Sequence, residues 1–208
     1  MAARKAARPR QRLARAEREQ QLLDVAERLF VDRGYDRTSI EDVARAAGIT
    51  RPVVYHHHGS KEGLYAACVR RARDRLGQEM VAALRGVSEP RERLRVAGVT
   101  FFSMLERDPQ RWIVLFGGSG APLTGEVGER LTELRFEMVA RLADVLELAA
   151  RPGVARERVE AAAHAIGGIG EQLGRWWLEN PKIPRSRVVE HYTELIWNGV
   201  APFAKPAR

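Results

Sequence analysis

Cysteine is nearly absent from this chain, with Cys68 the single thiol in 208 residues. One thiol closes no intrachain disulfide and completes no cysteine-rich zinc site, so the chain reads as a protein of a reducing compartment, the cytoplasm, and Cys68 as a small core residue. Long apolar runs are missing as well. With no stretch of about 18 apolar residues, no membrane span is expected. The basic N-terminus leads into no apolar segment with a cleavage-type end, so no secretory signal is expected either. Strand-type alternation and internal repeats are also lacking, which argues against a β architecture and a solenoid.

Charge is present but unevenly placed. The net charge is +8. Residues 1–18 carry Arg4, Lys5, Arg8, Arg10, Arg12, Arg15 and Arg18 against Glu17 alone, so they hold +6 and the remainder only +2. A basic arm of this kind, leading into the first helix, suits an anionic partner such as DNA.

The rest of the chain follows a helical period. Leu22, Ala26, Leu29 and Phe30 line one face of a helix over residues 12–33 that Gly34 ends. Ser39 and Asp42 form a capping-box pattern ahead of the stripe Ile40, Val43, Ala44 and Ala47, and Gly48 stops that helix. Thr50 then caps a third short helix with Pro52 in its first turn. Further helices are expected over residues 60–85, 90–106, 109–115, 125–150, 155–180 and 186–202, separated by glycine and proline punctuation. The fold class is therefore all-α. A helix-turn-helix unit occupies residues 19–60, with its motif over about 39–58, and a larger helical body occupies 61–208.

Two helices joined by a glycine turn, with a third before them, suit major-groove recognition. With Ile49 and Val54 turned inward, Thr50, Arg51, Pro52, Val53, Tyr55 and His56 fall on the exposed side of the second helix. An arginine forks onto a guanine edge, an apolar group meets a thymine methyl, and Tyr55 and His57 can donate to phosphates. The spacing of Gly34 and Tyr35, Thr38-Ser39-Ile40, Val43-Ala44, Ala47-Gly48-Ile49, Tyr55, and Ser60-Lys61-Glu62 with Leu64 resembles the DNA-binding signature of TetR/AcrR-type transcriptional regulators. That resemblance covers about residues 19–68. It implies that Thr38 contacts a phosphate, that the helix from Thr50 is the recognition helix, and that Tyr55, His57 and Lys61 grip the backbone. The chain departs from the signature at His58, where the family usually has Phe, and at Gly63, where a polar helix former is commoner; a glycine in a helix interior costs about 0.8–1.0 kcal/mol relative to alanine.

Other chemistries are less well served. His56, His57 and His58 invite a metal site, and with it a small helical metal-dependent enzyme, but consecutive helical residues diverge by about 100° and do not converge on one ion. No metal, cofactor or catalytic residue is therefore expected. Gly117-Gly118-Ser119-Gly120 lacks the Lys-Ser or Lys-Thr of a phosphate loop and follows no strand, so it reads as an interhelical loop.

In the body, Ala163, Gly167, Gly170 and Gly174 recur at helical spacing, as do Val188, Tyr192, Leu195 and Ile196. These two stripes are the expected homodimer interface, since a two-fold operator needs two recognition helices; packing within one chain is the alternative. Phe101, Met104, Trp112, Phe116, Phe136, Val139, His164 and Trp176 are the expected lining of a pocket for a small apolar or amphipathic effector, with Arg111, Arg135 or His164 orienting its polar group. The expected function is that of a ligand-released homodimeric repressor on double-stranded operator DNA; an activator, or a regulator without a ligand, is the alternative.

Overall fold

The computed structural model describes residues 15–109, 112, 116 and 125–204. Most of the expected basic arm, together with Arg111 and the Gly117–Gly120 stretch, lies outside the described residues. Eight α-helices make up the described chain: α1 (Arg15–Arg33), α2 (Ile40–Ala47), α3 (Arg51–His58), α4 (Lys61–Ala83), α5 (Pro90–Arg107), α6 (Gly125–Ala149), α7 (Arg156–Glu179) and α8 (Arg185–Val200). A single 3₁₀ turn follows at Ala201–Phe203. The expected boundaries hold to within a few residues; the short helix expected over 109–115 falls largely outside the described residues.

Local chemistry fixes the first three helices. The Ser39 hydroxyl accepts from the Asp42 N–H at 3.1 Å while the Ser39 N–H donates to the Asp42 carboxylate at 3.1 Å, the reciprocal capping box that starts α2. The Ser39 hydroxyl, which donates to the Asp42 carboxylate at 2.6 Å, and then the Ser39 N–H hold the Asp42 carboxyl below its ordinary pKa. Gly48 ends α2 in the left-handed conformation, φ 66°, which a residue with a Cβ adopts at a cost. Its N–H and that of Ile49 then close onto the carbonyls of Arg45 and Ala44, at 3.1 and 2.9 Å. Thr50 takes the extended N-cap backbone but makes no side-chain cap bond, which leaves its exposed hydroxyl uncommitted.

The long helix α4 serves both parts of the molecule. Leu64, Tyr65, Cys68 and Val69 are buried within the N-terminal core alongside Leu22, Ala26 and Phe30 of α1. Phe30, Tyr35 and Tyr65 form an aromatic triangle with centroids 5.0–5.8 Å apart. Arg71, nearly covered, locks the two helices by forking onto Glu27 at 2.7 Å and Asp24 at 2.8 Å. A boundary drawn at residue 60 would thus cut the N-terminal unit off from residues that complete its core.

The body packs α5 against α8 and α6 against α7, with α8 also on α7. Gly98 lets α8 approach closely, for a Cβ there would lie 2.8 Å from the Tyr192 ring, and Tyr192 stacks edge-on with Phe102 at 5.5 Å. One hydrophobic core runs from Leu22 to Ile196, and a smaller one joins Val139, Ala143, Val159 and Ala163.

Candidate nucleic-acid interface and effector-binding body

Alternation of burial along α3 sets out one exposed face, the candidate interface. Val54 is fully buried against α2, whereas Arg51, Pro52, Tyr55 and His56 are exposed, with Val53 and His57 half-buried. Arg51 is held only loosely, its guanidinium 3.6 Å from the exposed carboxylate of Glu41. An exposed pair of this kind contributes little and exchanges readily for a base edge or phosphate. Tyr55 is half exposed. The rings of His56 and His57 stand 5.8 Å apart and nearly perpendicular, and those of His57 and His58 6.1 Å apart. No group of three or more histidine, cysteine or carboxylate side chains among the described residues is placed to hold a metal ion.

Two of the expected backbone contacts have other partners. Thr38 is buried, and its hydroxyl donates to the Gly34 carbonyl at 2.8 Å and lies 3.1 Å from that of Leu29. Its one proton is therefore committed inside the fold, which makes Thr38 a clamp between the end of α1 and the start of α2, with no donor left for a phosphate. The Lys61 ammonium lies 4.1 Å over the Tyr35 ring and 3.4 Å from the Asp36 carbonyl, at the start of α4. Sequence spacing alone did not single out Tyr35 and Glu62 as its support. The Tyr35 hydroxyl donates to Glu62 at 2.9 Å. Burial first, then that bond, raises the Tyr35 pKa, while hydrogen bonds from its own backbone and from Ser60, then Tyr35, keep Glu62 ionised.

The turn between α3 and α4 is unusually tight. Gly59 sits at φ 73°, ψ −47°, and the Ser60 N–H closes onto the His58 carbonyl at 2.8 Å, a γ-turn. That carbonyl crosses so near the Gly63 Cα that a Cβ would lie 2.1 Å from it. Gly63 is thus required by a close approach in the first turn of α4. His58 is half-buried and its Nε2 has no partner among the described residues; burial, with the neighbouring His57, lowers its pKa. Beside it opens a cleft of about 600 Å³ between Glu62, Arg70 and their neighbours on α4 and Glu129, Arg130 and Glu133 on α6.

In the body, the expected pocket residues divide. Met104, Trp112, Phe116 and Val139 are buried, and Phe101 packs edge-on against Phe102 and Phe116 at 5.1 and 5.8 Å. Phe136, His164 and Trp176 do not join them. Phe136 is 57% exposed and pairs edge-on with the exposed His164 at 6.2 Å, and Trp176 lies on the outer face of α7. These three project from faces turned away from the core.

The expected dimer stripes need a corresponding correction. Ala163, Gly167, Gly170 and Gly174 face their own chain: a Cβ on Gly170 would touch Tyr192 and Phe101, one on Gly174 would meet Trp112 at 2.8 Å, and one on Gly167 would meet Val139. Val188, Tyr192 and Ile196 are buried in the same packing, and of that stripe only Leu195 is exposed, at 58%. The outward faces of α7 and α8 instead present Leu173, Trp176, His191, Glu194, Leu195 and Asn198 around an open cleft of about 570 Å³. Their spacing of three and four, opposite the glycine stripe, was the available signal.

Comparison with known proteins agrees with this division. Residues 22–68 match the family of bacterial regulatory proteins, tetR family, and residues 90–199 match the tetracyclin repressor-like C-terminal domain. The HTH-type transcriptional activator FasR of Mycolicibacterium smegmatis is 32% identical over 91% of this chain and 86% of its own. A TetR-like transcriptional regulator from Rhodococcus sp. RHA1 superposes with a TM-score of 0.68 at 30% identity, covering 91% of this chain and 99% of that one. AibR, crystallised with isovaleryl coenzyme A and operator DNA, has the same fold, with a TM-score of 0.64 at 23% identity over 86% and 97% of the two chains.

Proposed function

Since this chain belongs to the TetR family of bacterial regulatory proteins, and so is a DNA-binding transcriptional regulator, we propose that it acts as a homodimer whose hold on operator DNA is released by a small ligand in the helical body. It works by binding and not by catalysis. The observation that carries the reading is the presentation of α3: its inward residue Val54 is anchored, and Arg51, Pro52, Tyr55 and His56 form a continuous exposed face. Arg51 and the apolar Pro52 and Val53 read base edges, while Thr50, Tyr55, His57 and Lys61 hold the backbone. Thr38 contributes by fixing the approach of α2.

Pairing uses the outer faces of α7 and α8, around Trp176 and Leu195, because the glycine stripe on α7 is already filled by its own chain. That AibR is found with both an acyl-CoA and DNA supports a fold able to take both kinds of partner. A ligand that binds the free form more tightly than the DNA-bound form must lower operator affinity by the same factor, and release represses or activates according to where the operator lies. FasR is named an activator, and repression is the reading where operator and promoter overlap.

The test is binding of the full chain to fragments of its own upstream DNA. Arg51→Ala should cost about 1–3 kcal/mol at one base position and relax the preference there. Undiminished sequence selectivity in Arg51→Ala combined with Tyr55→Phe would refute the assignment of α3.

A further inference from the structure

The interior of the body carries hydrogen-bond donors that find no acceptor among the described residues. Arg73, halfway along α4, has its Nε and Nη1 sealed from solvent without an acceptor among the described residues. The charged groups that act on it are Arg135 and Glu137 of α6 and Glu171 of α7. Glu171 is already shared: Arg135 reaches it at 3.5 Å and Arg175 at 3.7 Å, and its side chain is largely covered. Arg175 in turn lies over the Trp112 ring, 5.6 Å from its centroid, and the buried Trp112 Nε1 also lacks an acceptor. Glu171 thus links a chain of cationic groups: it pairs with the half-exposed Arg135 and Arg175, it and Glu137 act with Arg135 on the covered Arg73, and Arg175 leads on to Trp112, whose Nε1 stands against Gly174 of α7.

Donors on a desolvated cation cost more to leave unpaired than those of a neutral buried group. The chain could remove that cost with an apolar residue at position 73, so the arginine implies an acceptor that arrives from outside. Burial and the like charge of Arg135 push the Arg73 pKa down to about 10, still well above neutrality, so the group stays charged. From these contacts we propose that Arg73, with Arg135, Arg175 and Trp112, forms a recognition site for the anionic group of the effector, a carboxylate or a phosphate. Either group offers two oxygens that a guanidinium fork can engage at once. The site deepens the ligand-responsive reading and rests on it. Its location is informative: Arg73 stands on the helix that carries the DNA-binding unit, while Arg135 and Arg175 stand on α6 and α7. An anion bound between them ties α4 to the body.

The test uses the full chain with decanoate, decanoyl-CoA and the neutral methyl decanoate, read by thermal unfolding and by competition with operator DNA. At least one anion should raise the Tm of the wild type more than the neutral ester does, decanoate reporting a carboxylate and decanoyl-CoA a phosphate source. Arg73→Gln should lose roughly tenfold or more in affinity for that anion. Its ligand-free Tm should be unchanged or higher, because a buried unpaired charge is gone; Arg73→Met provides a second variant of similar bulk. The exposed Arg91→Gln should behave as wild type. If neither anion outdoes the ester, or if both Arg73 variants keep the anion response, the site is overturned. If the Arg73-dependent shift is present but operator affinity is unmoved, the site stands and the ligand-release reading falls.

Discussion

Gly63→Ala sets helix propensity against sterics, and the structure decides the sign. Propensity alone predicts a gain of about 0.8–1.0 kcal/mol from replacing a helical glycine by alanine. At this position the new Cβ would lie 2.1 Å from the His58 carbonyl oxygen, about 1 Å inside the closest approach that Cβ atoms tolerate. That oxygen is a backbone atom, and withdrawing it disturbs the 2.8 Å bond it accepts from the Ser60 N–H and the Gly59 turn it closes. Overpacking of this type costs roughly 1–3 kcal/mol, and loss of the hydrogen bond about 0.5–1.5 more. The net is a destabilisation of about 1–3 kcal/mol. Gly77→Ala is the internal control: it lies on the same helix, exposed, with nothing within 4 Å of the new methyl, and should gain up to about 1 kcal/mol. For a chain of this size each kcal/mol moves Tm by roughly 2–4 °C, so calorimetry of the two variants should place them on opposite sides of the wild type. Because the same turn sets the angle between α3 and α4, operator affinity of the folded Gly63→Ala protein should fall as well. A Gly63→Ala protein as stable as Gly77→Ala would refute the steric argument.

Three further outcomes follow from the same geometry. His58→Phe removes the unpartnered Nε2 and should stabilise the chain by about 1–3 kcal/mol. Since burial depresses the His58 pKa, the folded state binds fewer protons than the unfolded one; stability is complete above about pH 6.5 and falls as acid charges the ring, so urea midpoints at pH 7.5 and 5.5 should converge in the variant. Thr38→Val strips the clamp on Leu29 and Gly34 and should cost about 1–3 kcal/mol of stability while leaving the slope of log K against log salt unchanged, whereas a slope reduced by about 1 would restore a phosphate role. Gly174→Ala should cost roughly 1–3 kcal/mol in thermal unfolding by driving a methyl to 2.8 Å from the Trp112 indole, and a neutral result would show that Trp112 has room to move.

Local rules made the N-terminal unit readable. Ser39, Asp42, Gly48 and Pro52 each specify their own backbone through capping, left-handed φ or a missing N–H, and all four stand where the spacing placed them. The body is different because periodicity identifies a stripe without naming what covers it. The glycines of α7 make a groove suited either to a second subunit or to α5, α6 and α8 of the same chain, and only three-dimensional packing distinguishes the two. Residue type alone places Phe136, His164 and Trp176 in an interior, whereas their exposed positions reflect helix rotation, which hydrophobicity does not report. Thr38 shows the converse: the resemblance fixed its position, whereas the direction of its hydroxyl depended on carbonyls four and nine residues earlier.

The Arg71 fork onto Glu27 and Asp24 fuses α1 to α4, so the recognition helix rides on a rigid rod. At 1.5 Å per residue, the 23 residues of α4 span about 35 Å. A tilt of about 5° at the body end would therefore sweep the far end through roughly 3 Å, and in the proposed dimer two such rods moving in opposite senses would alter their separation by about 6 Å, against the roughly 34 Å between successive major grooves. In the proposed dimer, a rearrangement too small to disturb the core near Arg73 would be mechanically amplified into a misfit of about one-sixth of a helical turn of DNA.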